Sequence, residues 1–235
     1  MSALPANVEQ IHPALWRASQ LARGVGRTVA TGDDARSAEL PGKGWPVGTM
    51  IELLPQQSGV GELRLLAPAL ATAGQRQIVL IDPPQTPNVQ GLAYIGLSAD
   101  RLMLLRPSRS ADALWSAEQV LRAGTCAAVL LWQKHIRQES LRRLQLAAKT
   151  AETLFFMVRP LPQAADPSPA ELRLALRPAD EALSVEIIKR RGPAAAGPVA
   201  IALRPSAVLL SPHGRTRRPG RELVVRPQET EVFHA

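Results

Sequence analysis

Short apolar runs alternate with amphipathic runs across the middle of the chain, and this alternation restricts the fold more than any other feature. The apolar runs lack regular polar alternation, which is expected of strands whose two faces are both covered by helices. Alternating strands and helices predict an α/β fold with a mainly parallel β-sheet flanked by helices. The predicted strands are residues 49–54, 77–82, 102–106, 127–132 and 153–158, and the predicted helices are residues 62–73, 87–95, 109–123 and 137–151.

The pattern changes after the fifth predicted strand. Residues 160–169 form a Pro-rich loop, and residues 171–176 and 183–189 then alternate as an antiparallel pair does. A turn at residues 178–181 joins this pair, and residues 199–203 add an edge strand. We therefore expect antiparallel strands at the C-terminal end of the sheet. The predicted organisation is an N-terminal helical arm and loop (residues 1–40), a core (residues 41–204) and a flexible basic tail (residues 205–235).

Residues 50–66, MIELLPQQSGVGELRLL, have the strand–loop–helix layout of a phosphate-binding loop without the side chains that bind phosphate. Such a loop needs Gly N–H groups, a Lys that meets the phosphates and a hydroxyl for Mg²⁺. A carboxylate at the helix start suits the helix dipole but repels an anionic ligand. The sequence thus predicts a degenerate nucleotide site. Its loop includes Ser58 and Gly59, and Pro55, Val60, Gly61 and Glu62 stand at the places of the first Gly, the second Gly, the Lys and the Ser or Thr.

The positive charge of the chain lies in its second part. The net charge is +8, yet the first 100 residues carry 7 Lys and Arg against 8 Asp and Glu, and the rest carry 21 against 12. Such asymmetry favours nucleic acid or an acidic protein as a partner. The alternative is the ordinary Arg-rich composition of a protein from a GC-rich organism.

Cysteine and histidine usage excludes several kinds of chemistry. The one cysteine, Cys126, allows no disulfide framework and no zinc cluster, and we expect it to be a buried small side chain in a reducing compartment. The four histidines show no metal-ligand spacing. No run approaches the ~18 apolar residues of a membrane span, and no secretion signal is visible. We therefore expect a cytoplasmic protein.

Four segments, in matching order, resemble the RecA recombinase core and, within that superfamily, the ImuA family; they cover about residues 40–203. The resemblance implies a RecA-like core that has lost its ATP-hydrolysing groups. Gly61 and Glu62 replace the Walker A Lys and Thr, Pro84 replaces the catalytic Glu, and Trp132 replaces the Mg²⁺-associated Asp. Phosphoryl transfer depends on these groups, so we expect no enzyme activity and no cofactor. The segments are GKGWPVGTMIELLP, SADRLMLLRPSRSADALWSAEQVLRAGTCAAVLLW, LRRLQLAAKTAETLFFMVRP and VEIIKRRGP.

The same resemblance implies a function through binding. It predicts a scaffold of the SOS-induced, error-prone translesion synthesis complex that binds an ImuB-type adaptor, with a C-family polymerase, RecA and DNA as further partners and with recruitment to the nucleoid. RecA proteins bind DNA through two loops. In this chain the first corresponds to residues 133–138 and is largely deleted, and the second corresponds to residues 160–169 and contains no Lys or Arg. Two alternatives stay open. One is a SulA-type SOS cell-division inhibitor that binds the tubulin-like division GTPase, and the other is a cryptic nucleotide-dependent enzyme.

Basic and aromatic residues supply the candidate contacts with a partner or DNA. On the helix at residues 137–151, helical spacing places four residues on an outer face, with Arg143 beside them: Gln138, Arg142, Gln145 and Lys149. This face could contact DNA phosphates or a partner, and the alternative is an ordinary solvated face. Trp16 lies on the N-terminal arm and is predicted to dock on a partner, and the alternative is that it packs on the core of its own chain. Trp115 and Trp132 are expected in the core, and Trp45 indicates little. The remaining candidates are Lys189, Arg190 and Arg191 at a strand end and Arg215, Arg217, Arg218 and Arg221 in the tail.

Overall fold

A computed structural model describes residues 26–32, 37, 39–72, 74–180, 182–191 and 197–202. Within these residues the fold is mixed α/β, with an eight-stranded sheet. The strands lie in the order β10 (Val199–Ala202), β9 (Ala182–Lys189), β8 (Leu172–Ala179), β3 (Met50–Pro55), β7 (Leu154–Val158), β6 (Ala128–Trp132), β4 (Ile78–Ile81) and β5 (Leu102–Leu105). The strands from β8 to β5 run parallel, while β9 is antiparallel to β8 and β10 is antiparallel to β9. The prediction of a mainly parallel sheet with antiparallel strands at its C-terminal end is confirmed.

Each predicted strand and helix of the alternating region is present, with ends that shift by at most two residues. The sheet strands are β3 (Met50–Pro55), β4 (Ile78–Ile81), β5 (Leu102–Leu105), β6 (Ala128–Trp132), β7 (Leu154–Val158), β8 (Leu172–Ala179), β9 (Ala182–Lys189) and β10 (Val199–Ala202). The α-helices are α1 (Glu62–Ala71), α2 (Val89–Tyr94), α3 (Ser110–Ala123) and α4 (Gln138–Lys149). Among the described residues, three short 3₁₀ helices occupy Pro41–Lys43, Ala99–Arg101 and Leu161–Ala165.

Two apolar clusters cover the two faces of the sheet. Strand residues alternate between them, so that Phe156 belongs to the cluster that includes α1, while Phe155 belongs to the cluster that includes α3 and α4. Because successive strand side chains point to opposite faces, this alternation is what a sheet covered on both sides requires. Cys126 is buried at the edge of the second cluster, as expected.

A two-stranded ribbon precedes the sheet in a region predicted to be a loop. Strand β1 (Thr28–Val29) pairs antiparallel with β2 (Trp45–Pro46). The sequence predicted no particular role for Trp45. Its side chain is fully buried and packs edge-to-face on Phe156, with ring centroids 5.5 Å apart. A two-residue strand is too short for sequence periodicity to reveal, which is why the prediction missed this ribbon.

Two predictions about individual side chains are wrong. Trp115, expected in the core, is 61% exposed on α3. Gln145, expected on the outer face of α4, is buried; its side-chain oxygen accepts the Met50 N–H at 2.8 Å, and its amide donates to Thr49 Oγ1 at 3.0 Å. The N–H at the start of β3 needs a partner, and a polar residue on the buried side of α4 supplies it.

None of the helices in the described part of the chain is both long and apolar enough to span a bilayer. The expectation of a cytoplasmic protein stays a prediction.

Gly32→Ala should destabilise the protein by more than the same change at Gly74. Both glycines have a positive φ, +78° and +66°, which strains any other residue. At Gly32 a Cβ would also stand 2.3 Å from the Pro68 Cβ on α1, whereas at Gly74 it would meet open space. We expect a loss of about 1 kcal/mol at Gly74 and ~2–3 kcal/mol at Gly32, measured by urea unfolding. Equal losses would show that the contact with Pro68 is unimportant.

Candidate functional site

The loop between β3 and α1 is closed by its own carboxylate. Gly59 and Gly61 take positive φ values of 79° and 122°, and this turns their N–H groups toward the start of α1. Both N–H groups donate to the Glu62 carboxylate, at 3.2 Å each, and Glu62 is buried. A phosphate loop offers such N–H groups to an anionic ligand. In this chain the Glu62 side chain occupies them.

A cavity of about 550 Å³ opens at the carboxyl ends of the parallel strands. Its walls come from the ends of β3, β4, β6 and β7 and from the start of α3, because the carboxyl ends of parallel strands meet at one edge of the sheet. Ligands of open α/β sheets bind at this edge. The lining residues are Pro55, Gln56, Gln57, Ser58, Glu62, Asp82, Pro84, Ser110, Trp132, Gln133, Lys134, His135, Val158, Arg159 and Pro160.

The structure brings five of the eight residues of the predicted degenerate site together on this cavity: Pro55, Ser58, Glu62, Pro84 and Trp132. Gly59, Val60 and Gly61 lie in the same loop but do not line it. The five residues thus lie at the edge of the sheet formed by the carboxyl ends of the strands, where the sequence placed them. The interpretation of this cavity as a degenerate nucleotide site stays a prediction.

Two strand ends form the wall opposite the loop. Asp82 follows β4 in a left-handed conformation (φ 54°), which is uncommon outside glycine, and its Oδ2 accepts a hydrogen bond from Gln133 Nε2 at 3.2 Å. Trp132 ends β6, is 8% exposed, and its indole Nε1 is buried without a hydrogen-bond partner among the described residues. An indole thus fills the place where the resemblance would require a carboxylate. Nowhere in the described part of the chain do three or more His, Cys, Asp or Glu side chains form a group that could bind a metal ion.

A buried ion cluster lies beneath the cavity. Glu52 of β3 is fully buried between two arginines, with Arg159 Nη1 at 2.7 Å from its Oε1 and Arg173 Nε donating to its Oε2. Arg159 also reaches Asp166 Oδ2 at 3.1 Å, so two acids balance two bases. A buried charge is tolerated when it is paired and hydrogen-bonded. Glu52, Arg159 and Arg173 are each buried and paired, while Arg159 Nε is buried without a hydrogen-bond partner among the described residues.

The ion cluster also holds the Pro-rich loop that follows β7. Arg173 donates to the carbonyl oxygens of Gln163 and Ala164, at 3.0 and 3.1 Å, and Arg159 donates to Gln163 Oε1 at 2.9 Å. The loop contains the 3₁₀ helix Leu161–Ala165. It is therefore fastened to the sheet by charged side chains, although its sequence contains no Lys or Arg.

The basic candidates at the end of β9 make contacts within the chain. Lys189 Nζ donates to the Ser168 carbonyl at 3.0 Å, and Arg191 lies 3.5 Å from Glu171 Oε2. Arg190 pairs with Glu39, and only 14% of its side chain is exposed. Most of Arg190 is therefore committed to the fold.

The basic candidates on α4 remain on the surface. Arg142, Arg143 and Lys149 are exposed, and Arg143 pairs with Glu118 of the neighbouring helix α3. Trp16 and the tail cluster of Arg215, Arg217, Arg218 and Arg221 lie outside the described residues, so their predicted roles stay predictions.

Sequence reasoning missed the ion cluster, although a signal was present. Glu52, Arg159 and Arg173 are single charged residues within or beside runs of buried apolar residues. A charge at such a position must find a partner, because an unpaired buried charge is very costly. The pairing itself needed the strand order, which places β3 between β7 and β8.

The relatives of this chain among known proteins include cell division inhibitors. No protein-family model matches the chain. The cell division inhibitor SulA of Photorhabdus laumondii is 30% identical over 112 residues, which are 47% of this chain and 63% of that protein. SulA of Serratia marcescens is 26% identical over 115 residues, 48% of this chain and 68% of that protein. The crystal structure of SulA from Pseudomonas aeruginosa is 28% identical and matches 47% of this chain and 96% of that one, with a TM-score of 0.40.

These relatives are SulA cell division inhibitors, and they overturn the main functional prediction. The prediction of an ImuA-type translesion scaffold with an ImuB-type adaptor and a C-family polymerase as partners is wrong, and the alternative that named the SulA type is favoured. The error has a physical origin. The four segments behind the ImuA resemblance coincide largely with buried strands and helices, which specify an architecture and leave the partner unspecified. The similarity covers about half of the chain and less than two thirds of the Photorhabdus protein.

Glu62→Ala should cost about 1 kcal/mol of stability, since two loop N–H groups lose their acceptor at a helix start. Glu139→Ala is the matched control, because Glu139 is an exposed acid in the first turn of α4. Glu139→Ala should cost only a few tenths of a kcal/mol of stability, roughly the contribution of an exposed charge at a helix end. Urea unfolding of both variants measures the difference, and equal losses would exclude the capping role of Glu62.

Glu52→Gln should destabilise the protein by about 3–5 kcal/mol, because it leaves two buried guanidinium groups without their carboxylate. The control is Glu186→Gln, which breaks an ion pair with Arg177 whose side chains are 45% and 42% exposed. An exposed pair contributes about 0–1 kcal/mol. The two variants are compared by the midpoint of urea unfolding at constant m-value. A loss at Glu52 no greater than that at Glu186 would contradict the central role of the cluster.

Proposed function

We propose that this chain is a SulA-type cell-division inhibitor that acts by binding the tubulin-like division GTPase, and that it is not an enzyme. The observation that carries the proposal is the 30% identity over 112 residues with a protein named as a cell division inhibitor. Production during the SOS response to DNA damage is part of the same proposal.

The geometry of the cavity supports the non-catalytic part of this proposal. Glu62 occupies the N–H groups of the loop, Trp132 fills the place of the metal-associated carboxylate, and Pro84 replaces the catalytic acid. Arg159 lines the cavity, but its guanidinium pairs with Glu52. Lys134 comes from the end of β6 and not from the loop. A nucleotide phosphate would therefore meet a carboxylate where a phosphate loop offers N–H groups and a lysine.

The finer structural part of the proposal is that β3 to β8 with their helices form a degenerate RecA-like core. The parallel order β8-β3-β7-β6-β4-β5 and the strand–loop–helix at residues 50–66 support it. In this view the former nucleotide edge of the sheet has become part of the scaffold, and the outer surfaces of the helices carry recognition.

A protein that inhibits only by binding acts in proportion to the complex it forms. Inhibition should therefore saturate as the inhibitor approaches the concentration of the GTPase, and it should need no nucleotide of its own. An enzyme would act at far lower ratios, because each molecule would turn over many times.

The test is a sedimentation assay of the purified division GTPase, polymerised with GTP, against the full-length chain. We expect polymer mass to fall as the chain approaches a one-to-one ratio, and to fall equally with and without added ATP. Bovine serum albumin at the same concentrations is the control for crowding. Unchanged polymer mass at a fivefold excess of the chain would overturn the proposed function. Inhibition at one-hundredth of the GTPase concentration, or only with ATP, would overturn its non-catalytic part.

A further inference from the structure

The outer sides of α3 and α4 form one continuous surface, which we call the Trp115 face. Glu118 of α3 pairs with Arg143 of α4 and with Arg122 one turn further along α3, at 2.7 Å. The Glu118–Arg143 pair joins the two helices side by side, and the Glu118–Arg122 pair lies within α3. The face consists of Trp115, Glu118 and Arg122 on α3 and Arg142, Arg143, Leu146 and Lys149 on α4.

Helix geometry places two large apolar side chains on this face. Trp115 precedes Glu118 by three residues and Leu146 follows Arg143 by three, and residues three apart are neighbours on a helix surface. Trp115 is 61% exposed and Leu146 is 62% exposed. The inward stripe of α3 is complete without Trp115, because Ala113, Ala117 and Leu121 are buried. Neither side chain therefore serves the core.

The charge of this face is positive beyond the first turn of each helix. Arg122, Arg142, Arg143 and Lys149 are exposed there, against one carboxylate, Glu118. The Glu118 side chain is only 6% exposed and lies between two guanidinium groups, so the surface presents the cations. The exposed acids Asp112 and Glu139 are confined to the first turns.

We propose that the Trp115 face is the surface through which this chain binds an acidic protein surface. The inference rests on the proposed function, in which that partner is the division GTPase. Trp and Arg are among the residues most enriched at the positions that dominate binding energy in protein interfaces. Such residues contribute most when the contacts around them exclude water. Two exposed apolar side chains set among exposed cations, on either side of the Glu118–Arg143 pair, select a partner surface that offers apolar and acidic side chains.

A protein fits this face better than a nucleic acid does. Leu146 offers an aliphatic side chain, which has no counterpart in stacking on bases, and the carboxylates of Asp112 and Glu139 at the helix starts would repel phosphates. A protein surface can match both the apolar pair and the mixed charges.

The experiment measures binding of the full-length chain to the purified division GTPase by biolayer interferometry at 50 and 300 mM NaCl. Trp115→Ala should weaken binding at least tenfold at both salt concentrations. Arg142→Glu should weaken it at least tenfold at 50 mM and less at 300 mM, because salt screens the lost attraction. The matched controls are Tyr94→Ala, an exposed aromatic residue on α2, and Arg106→Glu, an exposed cation after β5, and both should bind within twofold of the wild type.

The outcomes separate this inference from the proposed function. If the wild-type chain does not bind the GTPase, both fail. If it binds and the face variants bind equally well, the proposed function stands and the Trp115 face is excluded. Should Trp115→Ala and Arg142→Glu instead lose binding to a 30-base-pair duplex while keeping the GTPase, the face is a nucleic-acid surface and the inference is wrong. If a thermal melt shows that Trp115→Ala unfolds, Leu146→Gln takes its place with the same expected result.

Discussion

The pairing of Glu52 with Arg159 and Arg173 is the interaction on which the central part of this structure depends. It joins β3 to both of its neighbours in the sheet and, through Gln163 and Asp166, to the loop that follows β7. A charge removed from water is strongly destabilising unless its partners are held in place. The three strands and the loop are therefore stable only as a unit, and this unit forms the floor of the cavity at the carboxyl edge of the sheet.

Above that floor, the loop between β3 and α1 keeps the shape of an anion site and supplies its own anion. The Glu62 carboxylate accepts the two N–H groups that face the start of α1, so the favourable end of the helix dipole is already satisfied. Trp132 adds bulk and an unpartnered indole N–H among the described residues. At this edge the loop N–H groups and the Trp132 indole take part in internal packing, and the proposed recognition surface lies on the outer helices.

Much of the fold could be predicted from periodicity, and particular residues show where periodicity stops. The strands β4, β6 and β7 are entirely buried apolar runs, and β3 is a buried run interrupted only by the charge of Glu52, so their assignment needed only the pattern of residues. The ribbon of β1 and β2 escaped notice because two residues form no pattern. The function was predicted wrongly, because the segments used for it encode buried architecture, which related proteins with different partners share.

The sequence by itself determined the alternation of strands and helices, the antiparallel end of the sheet, and the lack of a Lys in the loop at residues 55–62, where Glu62 stands at the position of the Ser or Thr. These follow from local spacing and residue type. Tertiary structure alone decided that Trp45 is buried while Trp115 is exposed, that Gln145 caps a strand, and that Glu52 finds two arginines. The physical reason is that burial and charge pairing depend on which elements become neighbours. The residues of β3 pair with residues of β7 and β8 that lie more than a hundred positions further along the chain, beyond the reach of local patterns.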